Sequence, residues 1–142
     1  MKYEHTMKYE HTINEIKLIS QFLGYQPMPI GSKNIWMLNG DPSKMSNWLY
    51  INSAKFDNWE TVMVIIYHIE KEKGFKYVIS QSGYVALFES TMREEPYVMV
   101  GLSQFDENKN HLGYYNNLEA TKKLITDFVT LYFKDNDISL YP

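Results

Sequence analysis

The sequence contains no cysteine and a single arginine, Arg93, among its 142 residues. Without cysteine the chain has no disulfide, no thiol nucleophile and no thiolate ligand for a metal. Arginine is the residue that binds phosphate and guanine in a bidentate manner, so its scarcity argues against nucleic-acid recognition. The net charge of −3 points the same way, because it provides no field that attracts a polyanion.

Long apolar runs are missing too. The longest, at residues 62–67, is far shorter than the roughly 20 residues that a membrane-spanning helix needs. Glu4 and Glu10 lie within the first ten residues, where a secretory signal would have its apolar core. The sequence therefore predicts a cytoplasmic protein with no membrane partner.

Three segments have the start signal of a helix, followed by apolar residues at helical spacing. In each, a capping residue is followed three positions later by a glutamate, the arrangement of a capping box. The boxes are Thr12 to Glu15, Asp57 to Glu60 and Asn116 to Glu119. They predict helices at residues 13–23, 58–73 and 117–133.

The second predicted helix is apolar on nearly every side. Its expected core residues are Trp59, Val62, Met63, Ile65, Ile66 and Ile69. A helix of this kind is usually buried all round, so we expect it to be the central helix. Truncation of Trp59 to alanine should then cost about 3–5 kcal/mol.

Between the second and third helices the apolar period changes from 3.6 to about two, which indicates strands. Strands are predicted at residues 76–81, 84–90 and 97–103, with shorter ones at 34–38 and 48–51. Ser82 and Gly83 suit a tight hairpin turn, and short links favour an antiparallel meander. The predicted fold class is α+β: three main helices packed on one face of a small antiparallel sheet, which consists of the meander and one or two short strands.

The chain begins with a repeated hexapeptide, MKYEHT, at residues 1–6 and 7–12. His5 and His11 would be about 240° apart around a helix or about 20 Å apart along a strand, so they do not form a metal-binding pair. We predict a duplicated N-terminal extension at residues 1–12, a single α+β domain at 13–134 and a loose C-terminal tail at 135–142.

No catalytic, cofactor-binding or metal-binding residues are identified, because the GxSxG, P-loop and GxGxxG patterns are missing. His68 and Glu72 are four residues apart on the second helix without a third ligand, and we interpret them as a surface pair.

Residues 106–110 alternate Asp and Asn as a calcium loop does. An EF-hand loop needs glycine at position 6 and glutamate at position 12, where this chain has His111 and Asn117. We therefore interpret the segment as a polar loop that leads to the third helix.

The chain is rich in aromatic residues, with 12 Tyr, 7 Phe and 3 Trp. Tyr25, Tyr50, Tyr114 and Tyr115 fall in predicted loops or helix approaches, and tyrosine is enriched at protein interfaces. They form the predicted interaction surface, although half-buried tyrosines with solvated hydroxyls would fit equally well. A homodimer through a sheet edge, at residues 97–103 or 34–38, is also predicted.

Four short motifs occur in order along the chain: Ile-Ser-Gln-Phe-Leu-Gly at 19–24, Leu-Tyr-Ile at 49–51, Trp-Glu-Thr-Val-Met at 59–63 and Phe-Val-Thr-Leu-Tyr at 128–132. They resemble a group of short proteins of unassigned activity that tailed phages and prophages of gut bacteria encode. In that group a buried helix starts with Trp-[Asp/Glu]-x-[Leu/Val]-Met. The likeness covers about residues 13–134, although this chain lacks the proline that usually follows the Met. It implies a mobile-element context without an activity.

These observations predict a non-catalytic accessory protein of a phage or prophage that acts through contacts with a host or phage protein. Two alternatives stay open. A small enzyme would need a cleft with carboxylate or histidine groups. A weak nucleic-acid-binding module would need its basic residues on one face, and these are Lys33, Lys44, Lys55, Lys71, Lys73, Lys76 and Arg93.

Overall fold

The computed structural model describes residues 6–28, 31, 33–39, 43, 45–79, 85–90 and 94–141, and for 85–87 it describes the backbone alone. The chain divides into two compact units. The first unit consists of Met1–Glu10 and Asp57–Phe128, and the second consists of His11–Phe56 and Val129–Pro142. Each unit contains both helix and strand, so the class is α+β as predicted.

The three predicted helices are confirmed as α1 (Ile13–Phe22), α2 (Trp59–Lys73) and α3 (Asn117–Asp135). The Thr12 capping box has both of its bonds: Thr12 Oγ1 accepts from the Glu15 N–H at 3.2 Å, and Glu15 Oε1 accepts from the Thr12 N–H at 2.9 Å.

Helix α2 begins at Trp59, one residue later than predicted, and Asp57 is not its capping residue. Its cap is Asn58, whose extended backbone allows Oδ1 to accept from the Thr61 N–H at 2.9 Å. The helix ends at Gly74, whose φ of 75° is a left-handed conformation in which any residue with a side chain would be strained.

Nine strands lie in the described part of the chain. They are β1 (Thr6–Met7), β2 (Tyr25–Pro27), β3 (Ile35–Leu38), β4 (Trp48–Tyr50), β5 (Lys76–Ile79), β6 (Val85–Glu89), β7 (Val98–Gly101), β8 (Ser103–Phe105) and β9 (His111–Tyr115). They form three separate three-stranded sheets, ordered β1-β9-β8, β2-β3-β4 and β5-β6-β7. The predicted meander is confirmed as the antiparallel sheet β5-β6-β7. Its predicted turn at Ser82-Gly83 lies outside the described residues.

The predicted single sheet with all helices on one face is wrong. The sequence predicts one strand at residues 97–103, but β7 ends at Gly101 and the chain joins a different sheet as β8 from Ser103 onward. Strand β3, one of the two predicted dimer edges, is the central strand of its sheet. Its backbone groups are therefore paired on both sides by β2 and β4.

The polar segment after β8 is a hairpin rather than a link to a helix. Asp106 Oδ1 accepts from the N–H groups of Asn108 and Asn110 at 2.8 and 2.9 Å, which fixes the turn between β8 and β9. The hydrogen bond from the Asn110 N–H holds the pKa of the Asp106 carboxyl below its usual value. The carboxylate that suggested a calcium loop thus orders the turn.

The repeat contributes to the first unit around the join between its two copies. Strand β1 spans the join between the copies and pairs parallel to β9, with Thr6 opposite Tyr114 and Met7 opposite Tyr115. The Tyr9 N–H donates to Glu119 Oε1 at 2.8 Å.

The end of the chain makes contacts within the second unit. Gln21 Nε2 donates to the Ser139 carbonyl at 2.8 Å, and the Tyr141 N–H donates to Gln21 Oε1 at 2.9 Å. The Tyr141 ring lies edge-on to Trp36, with 5.8 Å between centroids. These bonds and this ring contact lie in the segment 135–142, which the sequence predicts to be a loose tail.

Among the residues that the structure describes, none of the helices combines the length and the hydrophobicity that a bilayer crossing requires.

Candidate functional site

Helix α2 exposes four large apolar side chains. Trp59 is 43% exposed, Met63 46%, Val64 60% and Tyr67 62%. We call these four residues the α2 apolar face. An exposed apolar cluster of this kind is a common mark of a protein-interaction site, because water solvates it poorly.

The helical period explains how one helix has both a buried and an exposed apolar face. Residues four apart lie almost above one another on a helix, so Trp59, Met63 and Tyr67 form a row, with Val64 beside it. The opposite side consists of four aliphatic residues that are at most 1% exposed: Val62, Ile65, Ile66 and Ile69.

This arrangement corrects two expectations. The helix is not buried all round, and Trp59 and Met63 are not core residues. The apolar residues of α2 belong to two different sides of the helix. Only the side formed by Val62, Ile65, Ile66 and Ile69 is packed.

Charged side chains surround the α2 apolar face. Glu60 lies in its first turn and Lys71 in its last, and both are exposed. The Lys71 Nζ lies 5.8 Å from the centroid of the Tyr67 ring, within the range of a cation–π contact. Glu70 Oε2 accepts from the Tyr77 N–H at 3.1 Å, so this carboxylate caps the start of β5.

His68 lies on the same helix, away from the row of exposed apolar residues. Burial lowers its pKa below the ordinary value of 6.5, Lys73 acts in the same direction and Glu72 opposes them. The lowered pKa favours the neutral imidazole of His68 at pH 7, so the charges near the α2 apolar face come mainly from glutamate and lysine.

The four predicted interface tyrosines do not belong to one unit. Tyr25 and Tyr50 are in the second unit, on its edge strands β2 and β4, and Tyr50 is 45% exposed. Tyr114 and Tyr115 are on β9 in the first unit. Tyr115 is buried, which raises the pKa of its phenol, so its ring is not available to a partner.

An open groove of about 190 Å³ in the first unit bears on the enzyme alternative. Glu70, Lys76 and Glu89 line it together with Phe75 and Ser90. The two carboxylates and the ammonium are exposed, and Glu70 is already bound to the backbone of β5. Catalytic acids and bases depend on burial that sets their pKa values, so this groove is a weaker candidate than the α2 apolar face.

The remaining predicted basic residues belong to both units. Of the basic residues named above, Lys44 and Arg93 lie outside the described part of the chain. Lys33 and Lys55 belong to the second unit, and the lysines from 71 to 76 belong to the first. No three histidines or carboxylates are arranged to hold a metal ion among the residues described here.

Comparison with known proteins gave no match to a family model, to a curated protein or to a solved structure. The proposed function therefore rests on the site and on the sequence resemblance.

Sequence reasoning missed Val64 and Tyr67 and placed Trp59 and Met63 in the core. The signal that identifies them is the excess of apolar positions in α2. A helix packed on one side needs three or four apolar residues in two turns. Residues 62–69 contain seven, counting Tyr67, which is enough for a second apolar side.

Proposed function

We propose that this chain is a non-catalytic accessory protein of a phage or prophage, acting in the bacterial cytoplasm through protein–protein contact. The α2 apolar face is its docking surface. One observation carries the proposal: four large apolar side chains, each 43–62% exposed, lie on one side of one helix. The phage context rests on the sequence resemblance, and the docking role rests on the exposed residues.

The chemistry of the face favours a protein partner. Trp and Tyr are the residues that most often dominate binding energy at interfaces, because a large rigid ring loses little entropy on contact. Met63 adds a flexible thioether that adapts to different neighbours. The charged residues around the face suit the polar rim of an interface.

Glutamate substitutions on the face test the proposal. In the Val64→Glu/Tyr67→Glu variant we expect recovery of bound proteins from a lysogenic host lysate, further copies of this chain included, to fall at least about tenfold, because truncated hot-spot residues typically cost ~2 kcal/mol or more. Both side chains are more than half exposed, so the melting temperature should stay within about 2 °C of the wild type.

Met45→Glu is the matched control, since Met45 is 72% exposed and lies in the second unit. Recovery of bound proteins should be unchanged in this variant. Equal recovery by the wild type and by Val64→Glu/Tyr67→Glu would contradict the docking role. Quantitative mass spectrometry of the captured proteins provides the measurement.

A further inference from the structure

Building on the proposed function, we infer that the partner of the α2 apolar face is a second copy of this chain. The two α2 helices pack antiparallel across a two-fold axis that passes near Val64 and Tyr67. A two-fold interface brings the same surface together from both copies, so each residue must suit its symmetry-related neighbour. The exposed side of α2 meets this condition.

The charges at the two ends of the face are complementary. Glu60 is in the first turn and Lys71 in the last. When two copies lie antiparallel with Val64 opposite Tyr67 of the second copy, Glu60 lies opposite Lys71 of the second copy, because both pairs have the same sum of residue numbers. The two-fold axis generates each pair twice. Antiparallel packing also opposes the two helix dipoles.

Neither of these charged groups forms a salt bridge with a described residue of its own chain. Glu60 and Lys71 also lie about 20° apart around the helix axis, between the directions of Tyr67 and Val64, so both are in line with the face. In a two-fold antiparallel pair, the same side of each helix faces the other. The carboxylate and the ammonium are therefore on matching sides of the contact.

The middle of the contact is apolar. Met63 and Val64 of one copy face Tyr67 of the other, and the thioether and the aromatic ring make favourable contacts. The four apolar side chains expose on the order of 400 Å², against roughly 800 Å² per partner in a standard stable interface. Glu60 and Lys71 supply part of the missing buried area, so the dimer should dissociate on dilution.

Cross-linking between single-cysteine variants tests this geometry, because the natural chain contains no cysteine. We expect an equimolar mixture of Glu60→Cys and Lys71→Cys chains to give a covalent dimer with a short bismaleimide. Each variant alone should give at most about a tenth as much, because equivalent residues in this arrangement are about 16 Å apart along the helices.

Glu72→Cys replaces Lys71→Cys in the matched control mixture. Residue 72 is exposed but lies about 100° further round the helix, so the yield should fall to the level of the single variants. Wild-type chains should sediment with a mass that rises from 16.8 kDa toward twice that value with concentration, and Val64→Glu/Tyr67→Glu should abolish the rise.

Three results would overturn the inference. The first is an equal yield of cross-linked dimer with Lys71→Cys and with Glu72→Cys. The second is efficient cross-linking of Glu60→Cys with itself, which indicates parallel helices. The third is a wild-type chain that sediments as a monomer at every concentration, together with cysteine variants that do not cross-link. If the chain is monomeric but Val64→Glu/Tyr67→Glu still reduces capture of other proteins, the second copy is wrong as the partner and the docking role stands. If capture is also unchanged, the proposed function fails with it.

Discussion

Replacement of Phe128 by alanine is expected to lower the free energy of unfolding by about 3–5 kcal/mol, the usual cost of emptying an enclosed aromatic site. Phe128 is fully buried. Its ring centroid lies 5.0 Å from that of Phe75, 5.1 Å from Phe88 and 5.4 Å from Tyr97. Close packing leaves these rings little room to fill the void. Denaturant titration followed by circular dichroism measures the loss.

Trp59→Ala is the matched control for this prediction. Trp59 has the larger side chain, but it is 43% exposed, so its truncation should cost roughly half as much, about 2 kcal/mol. The helical pattern alone predicts the opposite order, with Trp59 in the core. A loss at Trp59 equal to that at Phe128 would mean that the α2 apolar face is buried.

The second large effect concerns the ion pair between Glu119 and Lys122 near the start of α3. Lys122 Nζ lies 2.7 Å from Glu119 Oε1, and the side chains of Lys122 and Glu119 are only 7% and 9% exposed. The same Oε1 accepts the hydrogen bond from the Tyr9 N–H. Glu119 thus links the N-terminal segment to the helix while it neutralises a buried ammonium.

Removal of either partner should destabilise the protein by about 3–5 kcal/mol, because the other charge stays buried without its counterion. We expect Glu119→Ala and Lys122→Met each to show a loss of this size. The double variant Glu119→Gln/Lys122→Met removes both charges and keeps an acceptor for Tyr9, so it should lie within about 2 kcal/mol of the wild type.

The comparison of single and double variants is made by the same denaturant titration. A double variant as unstable as the two singles together would show that the side chains act independently. Near-neutral singles would show that water reaches the pair. Either result contradicts a buried, coupled ion pair.

The helices were predictable because their signals are local. A capping residue and a glutamate three positions on are read within one turn, and Thr12 with Glu15 forms the expected reciprocal bonds. The sheet arrangement was not predictable in this way. The break at Leu102 between β7 and β8 depends on which distant strand each segment pairs with, and an apolar run contains no signal for that choice.

The sequence predicts the short strands β3 and β4 but not β1 and β9, because the pairing of β1 and β9 comes from elsewhere in the chain. Strand β1 has two residues and pairs with β9, more than 100 positions away. Strand β9 contains His111 and Gly113, which are not typical strand formers. Its pairing with β8 follows from the turn that the Asp106 carboxylate organises.

The candidate site was only partly predictable. Aromatic richness suggests an interaction surface, but composition does not show which rings are exposed. Tyr115 is buried, whereas Tyr67, within an apolar run, is among the most exposed aromatic side chains. Periodicity locates the two apolar sides of α2 and gives no sign of which one packs, since that depends on the remainder of the fold.

Thiol labelling tests the central claim most directly, namely that α2 packs one apolar side and leaves the other open to a partner. In dilute protein, the cysteine of Val64→Cys should react with a thiol reagent within about tenfold of the rate for an unfolded peptide. The cysteine of Ile66→Cys, whose parent residue is 1% exposed, should react at least about 100-fold more slowly, because the reagent reaches it only when the protein unfolds locally or globally. Equal protection at the two positions would contradict the account, since α2 would then be buried on both sides.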